Sequence, residues 1–236
     1  IQSMAQTEKY LDLLFTQVET MATQFLANPT LQEYYSFKSD GSNVFDEYNL
    51  KRDATAALTG SLYGLDLISS ATILTDERTT LTSSTLITSD LNWEDVKETS
   101  WYQQAFNSKG QGIWIDEHKE VDNTTVASSK RYAFSYVSGF SHVSTGRSLG
   151  VVLIDIDHNA IQELLEGMQL GHSGEIHLIT PGGNDLTTVT VNGEGLEEEQ
   201  IALTEQEFFS QIQEDPESSN YMHAHYKGSD HLVMYN

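Results

Sequence analysis

Between Trp93 and Asp157 the chain sets aromatic rings and carboxylates at spacings that place them in one local unit. Trp101 and Tyr102 are adjacent near the end of a helical stretch. Neighbours on a helix point about 100° apart. One ring can therefore face a sheet while the other lines the edge of a pocket, and core packing of both is the plainer alternative. Trp114 and Asp116 alternate by two in Gly112-Ile-Trp-Ile-Asp116, which predicts a shared strand face, with Ile113 and Ile115 opposite. A buried carboxylate without a partner is costly, so that face is either solvated or walls a site with a cationic occupant. Tyr132, Phe134 and Tyr136 are expected to share a face of the next strand, an arrangement that cross-strand packing also explains. Asp155 closes the apolar run Val151 to Ile154, where it or Asp157 caps the helix that follows. Ring faces and carboxylates both attract a small organic cation. The chain therefore reads first as a binding module.

The elements that must position these groups follow from period and punctuation. Met4, Leu11, Val18 and Phe25 recur every seven residues, with Leu14 and Met21 beside them, so residues 3–28 read as a helix with a continuous apolar stripe. That stripe packs either on the chain's own modules or on a twin helix in a homodimer. Asn28-Pro29 ends it, because the residue before proline avoids helical geometry. A second helix is expected from Val44 to about Thr59. Residues 65–74 and 79–87 change to strand composition and predict a β-hairpin. A helix over Trp93 to Asn107 and strands near 112–118, 130–138 and 148–156 complete the first unit. Asp157 then caps a helix over His158 to Met168. The second unit has strands at 174–179 and 187–191, a helix over 205–213, and a hairpin from Tyr221 to Tyr235. The order implies an α+β fold with antiparallel sheets flanked by helices, the second unit being a degenerate copy of the first.

Composition narrows the partners. Asp and Glu number 35 against 12 Lys and Arg, a formal charge of -23. Such a surface repels phosphate backbones, which argues against nucleic-acid binding, and disfavours anionic lipid. There is no cysteine, so disulfides and thiolate metal sites are excluded. No apolar run reaches the roughly 18 residues needed to span a bilayer. The chain begins inside an apparent helix and reads as a piece of a longer, membrane-anchored protein. His223 and His225 share a strand face near His231, but no third ligand at metal spacing accompanies them, and surface histidines are the expectation. Asn123-Thr-Thr125 fits a glycosylation sequon, a pattern common by chance. No cofactor motif is present.

Three patterns, Trp101-Tyr-Gln-Gln-Ala105, Gly150-Val-Val-Leu-Ile-Asp155 and Gly171-His-Ser-Gly-Glu-Ile-His-Leu-Ile179, occur in an order and spacing that resemble the extracellular double Cache sensor domains of bacterial chemoreceptors and membrane-bound kinases. The resemblance covers nearly the whole chain. It implies two stacked PAS-like modules on a long N-terminal helix: a helical stalk at 1–60, a membrane-distal ligand-binding module at 61–157, and a linker helix with a membrane-proximal module at 158–236. In the amino-acid-binding branch, the helix carries Arg-x-Trp-Tyr, the next strand Tyr-x-Asp, and a last Asp ends the Gly-Val strand. Trp101, Tyr102, Asp116 and Asp155 match, Trp114 replaces the tyrosine, and Thr99 stands at the arginine position. Threonine cannot make the bidentate contact that a ligand carboxylate needs. The implied ligand is a small molecule bearing ammonium: an amine, a quaternary amine or an amino acid. Trp101, Tyr102, Trp114, Asp116, Tyr132, Phe134 and Asp155 are the expected ligand-binding residues, and the expected role is transmembrane signalling in chemotaxis. Arg78, Lys130 or Arg131 supplying the missing cation would restore an amino acid or carboxylate ligand.

Two other classes compete. Asp116 and Asp155 as a general acid and base would make a glycoside or ester hydrolase. A dimerising stalk would explain the apolar stripe on residues 3–28 but not the cluster of rings and acids.

Overall fold

A computed structural model describes residues 2–37, 43–75, 80–84, 91–108, 111–122, 132–166, 177–179, 203–214, 221–226 and 228–235. The expected strand at 187–191, the sequon at Asn123, and Arg78, Lys130 and Arg131 lie outside them.

The first helix, α1 (Gln2–Ala27), carries the heptad stripe, and its C-terminal half buries Val18, Met21, Ala22 and Phe25. Asn28 ends it and starts the next: its side chain accepts from the backbone N–H groups of Thr30 (3.0 Å) and Leu31 (3.2 Å), capping α2 (Pro29–Ser36). Proline fits there because the first helical N–H has no intrahelical acceptor anyway. α3 (Val44–Gly60) follows and packs on α2.

The central sheet is antiparallel, with strand order β2-β1-β5-β4-β3. Its members are β1 (Ile68–Thr75), β2 (Leu81–Thr82), β3 (Ile113–Ile115), β4 (Tyr132–Ser141) and β5 (Ser148–Asp157). β5 lies in the middle, which explains its continuous apolar run: both faces are covered. On one face, Ala71, Ile73, Phe134, Tyr136, Phe140, Val152, Ile154 and Ile156 meet Val18, Phe25, Leu31, Tyr34, Ala54 and Leu58. The helices expected to form a stalk thus share a core with the sheet. On the other face, Leu74, Val137, Val151 and Leu153 meet Val96, Trp101, Tyr102, Ala105 and Val121.

The helix expected over Trp93 to Asn107 is two helices, α4 (Trp93–Glu98) and α5 (Ser100–Asn107), joined at Thr99. The expected strand near 112–118 shortens to β3, and α6 (Lys119–Asp122) takes over after it. Asp157 caps α7 (His158–Glu166), its Oδ1 accepting from the Ala160 N–H at 2.9 Å. Beyond lie a 3-10 turn (Leu203–Glu205), α8 (Glu207–Glu214), and a hairpin of β6 (Tyr221–Tyr226) and β7 (Ser229–Met234). Gly228 adopts a φ of 75° at the hairpin turn, a conformation glycine takes without steric cost. His225 pairs with Asp230 at 2.9 Å on its exposed surface.

Gly150 marks the closest approach of β1 and β5. A Cβ there would fall far inside the contact distance to the Leu74 carbonyl oxygen, a backbone atom that cannot swing away. Gly150→Ala should lower stability by about 3 kcal/mol, read as a shift in the denaturant midpoint at constant slope. An unchanged midpoint would contradict the strand packing.

Candidate functional site

The centre of the site is a carboxylate in the middle of the sheet. Asp155 sits on β5 with Ser70 of β1 and Ser135 of β4 directly opposite on its two sides. All three project to the face covered by α5, and all are buried. Ser70 Oγ donates to Asp155 Oδ2 at 2.6 Å, and Ser135 Oγ donates to Oδ1 at 2.8 Å. His118, from the segment between β3 and α6, brings its Nε2 to Asp155 Oδ1 at 2.8 Å. Hydroxyls at inward positions of otherwise apolar strands are what a buried carboxylate requires.

His118 is itself held on every side. Its Nδ1 lies 3.2 Å from Asp122 Oδ1, one helical turn along. The imidazole stacks on the Tyr132 ring at 4.4 Å between centroids and 13° between planes. The Tyr132 hydroxyl donates to Asp122 Oδ2 (2.8 Å) and accepts from the His118 backbone N–H (3.0 Å). Both ring nitrogens lie within ion-pair distance of carboxylate oxygens, Nε2 with a hydrogen bond to Asp155, and two anions beside one imidazole favour its charged form. Burial alone would push the His118 pKa down, but the charge of Asp155 and the hydrogen bonds to Asp122 and Asp155 raise it to about 9. Burial alone would raise Asp155, yet the His118 charge, the bond to His118 and the serine hydroxyls hold it below the ordinary carboxylate value. Burial, reinforced by Asp122, pushes the Tyr132 phenol far above its ordinary range, so it stays a neutral donor.

The rings on α5 form a layer beside this network. Tyr102 stacks on Phe106 (5.6 Å, 20°) and meets Trp93 (5.5 Å) and Trp101 (6.0 Å) edge-on. The Trp101 indole N–H is buried with no acceptor among the described residues. Thr99 sets the direction of α5. Its hydroxyl accepts from the Tyr102 N–H at 3.3 Å and donates to the Val96 carbonyl at 2.7 Å. The position that resembles the family's arginine is therefore a helix cap.

The expected site residues divide between the two faces. Trp101, Tyr102, Tyr132 and Asp155 lie on the α5 side of the sheet. Trp114 and Phe134 lie on the α1 side, in a ring cluster with Phe15 (4.8 and 5.9 Å) and Tyr136. Tyr132 does not share a face with Phe134 and Tyr136 as alternation predicts. Two residues of β4, Ala133 and Phe134, intervene between Tyr132 and Ser135, whereas only Ile156 separates their partners Asp157 and Asp155. The extra residue is a β-bulge, and it turns Tyr132 onto His118. Asp116, half-buried, follows β3 directly, two residues before His118. The second carboxylate of the hydrogen-bonded network is Asp122, not Asp116.

Sequence reasoning missed His118, Asp122, Ser70 and Ser135. Two patterns carried the information: the (i, i+4) pair His118 and Asp122, and serines at inward positions of β1 and β4.

Comparison with known structures places the fold. The chain is similar to the sensory domain of the Campylobacter jejuni chemoreceptor Tlp3 (CcmL), at 12% identity and a TM-score of 0.63, covering 98% of this chain and 84% of that one. The ligand-binding domain of the same receptor in complex with L-norvaline matches with 13% identity and a TM-score of 0.64, over 98% and 82% of the two chains. The extracellular domain of a putative histidine kinase, mmHK1S-Z3, matches with 11% identity and a TM-score of 0.55, over 91% and 78%. No protein-family model and no curated protein sequence matches the chain. The chain thus shares the fold of these domains, α+β with a long N-terminal helix and an antiparallel sheet flanked by helices.

The ion pair makes stability depend on pH. The raised His118 pKa contributes stability that is fully present below about pH 6.5 and is lost as pH rises through about 9. The lowered Asp155 pKa contributes stability present above about pH 4 and lost as pH falls below it. Unfolding free energy should therefore be greatest between about pH 4 and 6.5 and fall by about 3 kcal/mol towards pH 10. Denaturant titrations across pH measure this. His118→Gln should flatten the alkaline limb, and an alkaline limb of equal depth in that variant would contradict the assignment.

Proposed function

We propose that this chain is the extracytoplasmic sensory domain of a membrane receptor, binding a small molecule that bears an ammonium group and passing the event to signalling segments outside this sequence. The carrying observation is Asp155, a buried anion at the centre of the sheet on the face that α5 covers with aromatic rings. Similarity to sensory domains supports the role, and complexes of one of them with L-norvaline and L-valine show an ammonium-bearing ligand class held by the same fold. In this reading 61–157 is the ligand-binding module, 158–236 the membrane-proximal one, and 1–60 the helical region that carries displacement. Among the described residues no helix is long and apolar enough to cross a membrane.

Trp101, Tyr102, Tyr132, Asp116 and Asp155 are the binding residues of this proposal; Trp114 and Phe134 support the sheet from behind. A cation fits better than a lone carboxylate ligand, because Thr99 is spent on capping α5 and both nitrogens of His118 are spent on carboxylates. A hydrolase fits poorly. A general acid needs a carboxyl that is protonated near neutral pH, whereas Asp155 is held below the ordinary range. A ligand shifts the receptor only by preferring one arrangement of the modules over another.

Calorimetric titration with amines, quaternary amines and amino acids should find at least one specific ligand. Trp101→Leu and Asp116→Asn should each weaken it by about tenfold or more, on the scale of a lost ring face or charge, with an unchanged circular dichroism spectrum. No heat from any member of the panel, or variants that bind as the parent does, would overturn the proposal.

A further inference from the structure

We propose that His118 is a built-in occupant of the cation position on Asp155, and that a ligand ammonium binds by displacing its imidazolium. This rests on the sensor reading above and adds the residue that sets which cations succeed.

The geometry separates the donors around Asp155 into two kinds. Ser70 and Ser135 belong to β1 and β4, and their places are fixed by strand register on either side of β5. His118 comes from a short connection between β3 and α6 and is not part of the sheet. It has a second berth: Asp122 lies 3.2 Å from Nδ1, and the Tyr132 ring lies flat against the imidazole. The approach to Asp122 is made by Nδ1 and does not involve Nε2, so it can hold the imidazolium once Nε2 gives up Asp155. The serines remain in place to complete the coordination of whatever cation replaces it.

Charge favours the exchange. Asp155 and Asp122 are two anions around one imidazolium, so the network holds a net charge of -1 in its resting form. A monovalent cation brings it to neutrality, and an anion would deepen the imbalance of a buried site. The titratable groups in contact with His118 are Asp155 from β5, Asp122 from α6 and the neutral phenol of Tyr132 from β4. Ser70 of β1 and Ser135 of β4 contact the same carboxylate without charge. While His118 is an imidazolium it competes with the ligand. Once it is neutral, Asp155 has no internal counter-charge, and an external cation meets a site of charge -2. Affinity for a cation whose own charge is constant must therefore rise with pH.

The experiment is calorimetry with methylamine, which stays protonated to about pH 10 as lysine does, on the wild-type protein and His118→Gln. Glutamine keeps a donor and removes the charge. At pH 7 the variant should bind methylamine at least about tenfold more tightly than wild type. Wild-type affinity should rise at least about threefold between pH 7 and 9.5, and the variant's should stay flat. Equal or weaker binding by a folded variant, together with a flat wild-type profile, overturns the displacement mechanism while leaving the sensor reading intact. Absence of methylamine binding by either protein at every pH overturns the mechanism too. Failure of the whole amine and amino-acid panel in addition would mark the sensor reading itself as wrong. Should His118→Gln not fold, the wild-type pH series decides, read with the imidazole nitrogen resonances of His118. A neutral-to-alkaline gain in affinity that tracks its deprotonation supports exchange, and a gain that ignores it, or none, refutes it.

Discussion

A buried carboxylate at the centre of a sheet must be satisfied, and the rest of this site is arranged around that requirement. Asp155 cannot remain ionised on β5 without donors, and it obtains them from both neighbouring strands and from one histidine. Satisfying His118 in turn requires Asp122, and orienting Asp122 requires the Tyr132 hydroxyl. Several elements place these groups: Ser70, Ser135 and Asp155 by the register of β1, β4 and β5, Asp122 by the single turn of α6, and Tyr132 by the bulge in β4. Such a network is stable only when complete, so the same residues that hold the sheet together also set its electrostatics.

The sheet separates the two tasks of the domain. Its α1 face is a dry core in which Phe25, Leu31, Tyr34 and Leu58 pack on Ile73, Phe140 and Ile154. Trp114 and Phe134 belong to that packing, with Phe15 against both. Its α5 face combines apolar contact near Leu153 with charge at Asp155, one strand repeat further on. Aromatic residues therefore serve burial on both sides, and on the α5 side Tyr132 in addition stacks on the charged His118. Movement of α1 relative to the sheet would be felt directly by β4 and β5, whose residues carry the network on the opposite face.

Much of this was legible in the sequence. The heptad stripe, the Asn28-Pro29 break, the hairpin, the central apolar strand and the Asp157 cap all follow from local rules, because each depends on neighbours within a turn or two. Asp155 stood out as an acid ending an apolar strand. Tyr132 was misplaced because alternation holds only while the register is regular, and a bulge carries no strong sequence mark. The helix from Trp93 to Asn107 broke at Thr99 because a threonine hydroxyl that caps the next turn competes with helix continuation. His118 is harder to read because, apart from Asp122 one turn away, its partners Tyr132 and Asp155 come from β4 and β5 and meet it only in the tertiary structure.

The central claim is that His118 and Asp155 form a buried ion pair. Nitrogen-15 resonances of the His118 imidazole, followed from pH 5 to 10, test it most directly. Both ring nitrogens should stay protonated through neutral pH and titrate near pH 9. A neutral ring at pH 7, titrating near the ordinary value of 6.5, would contradict the account.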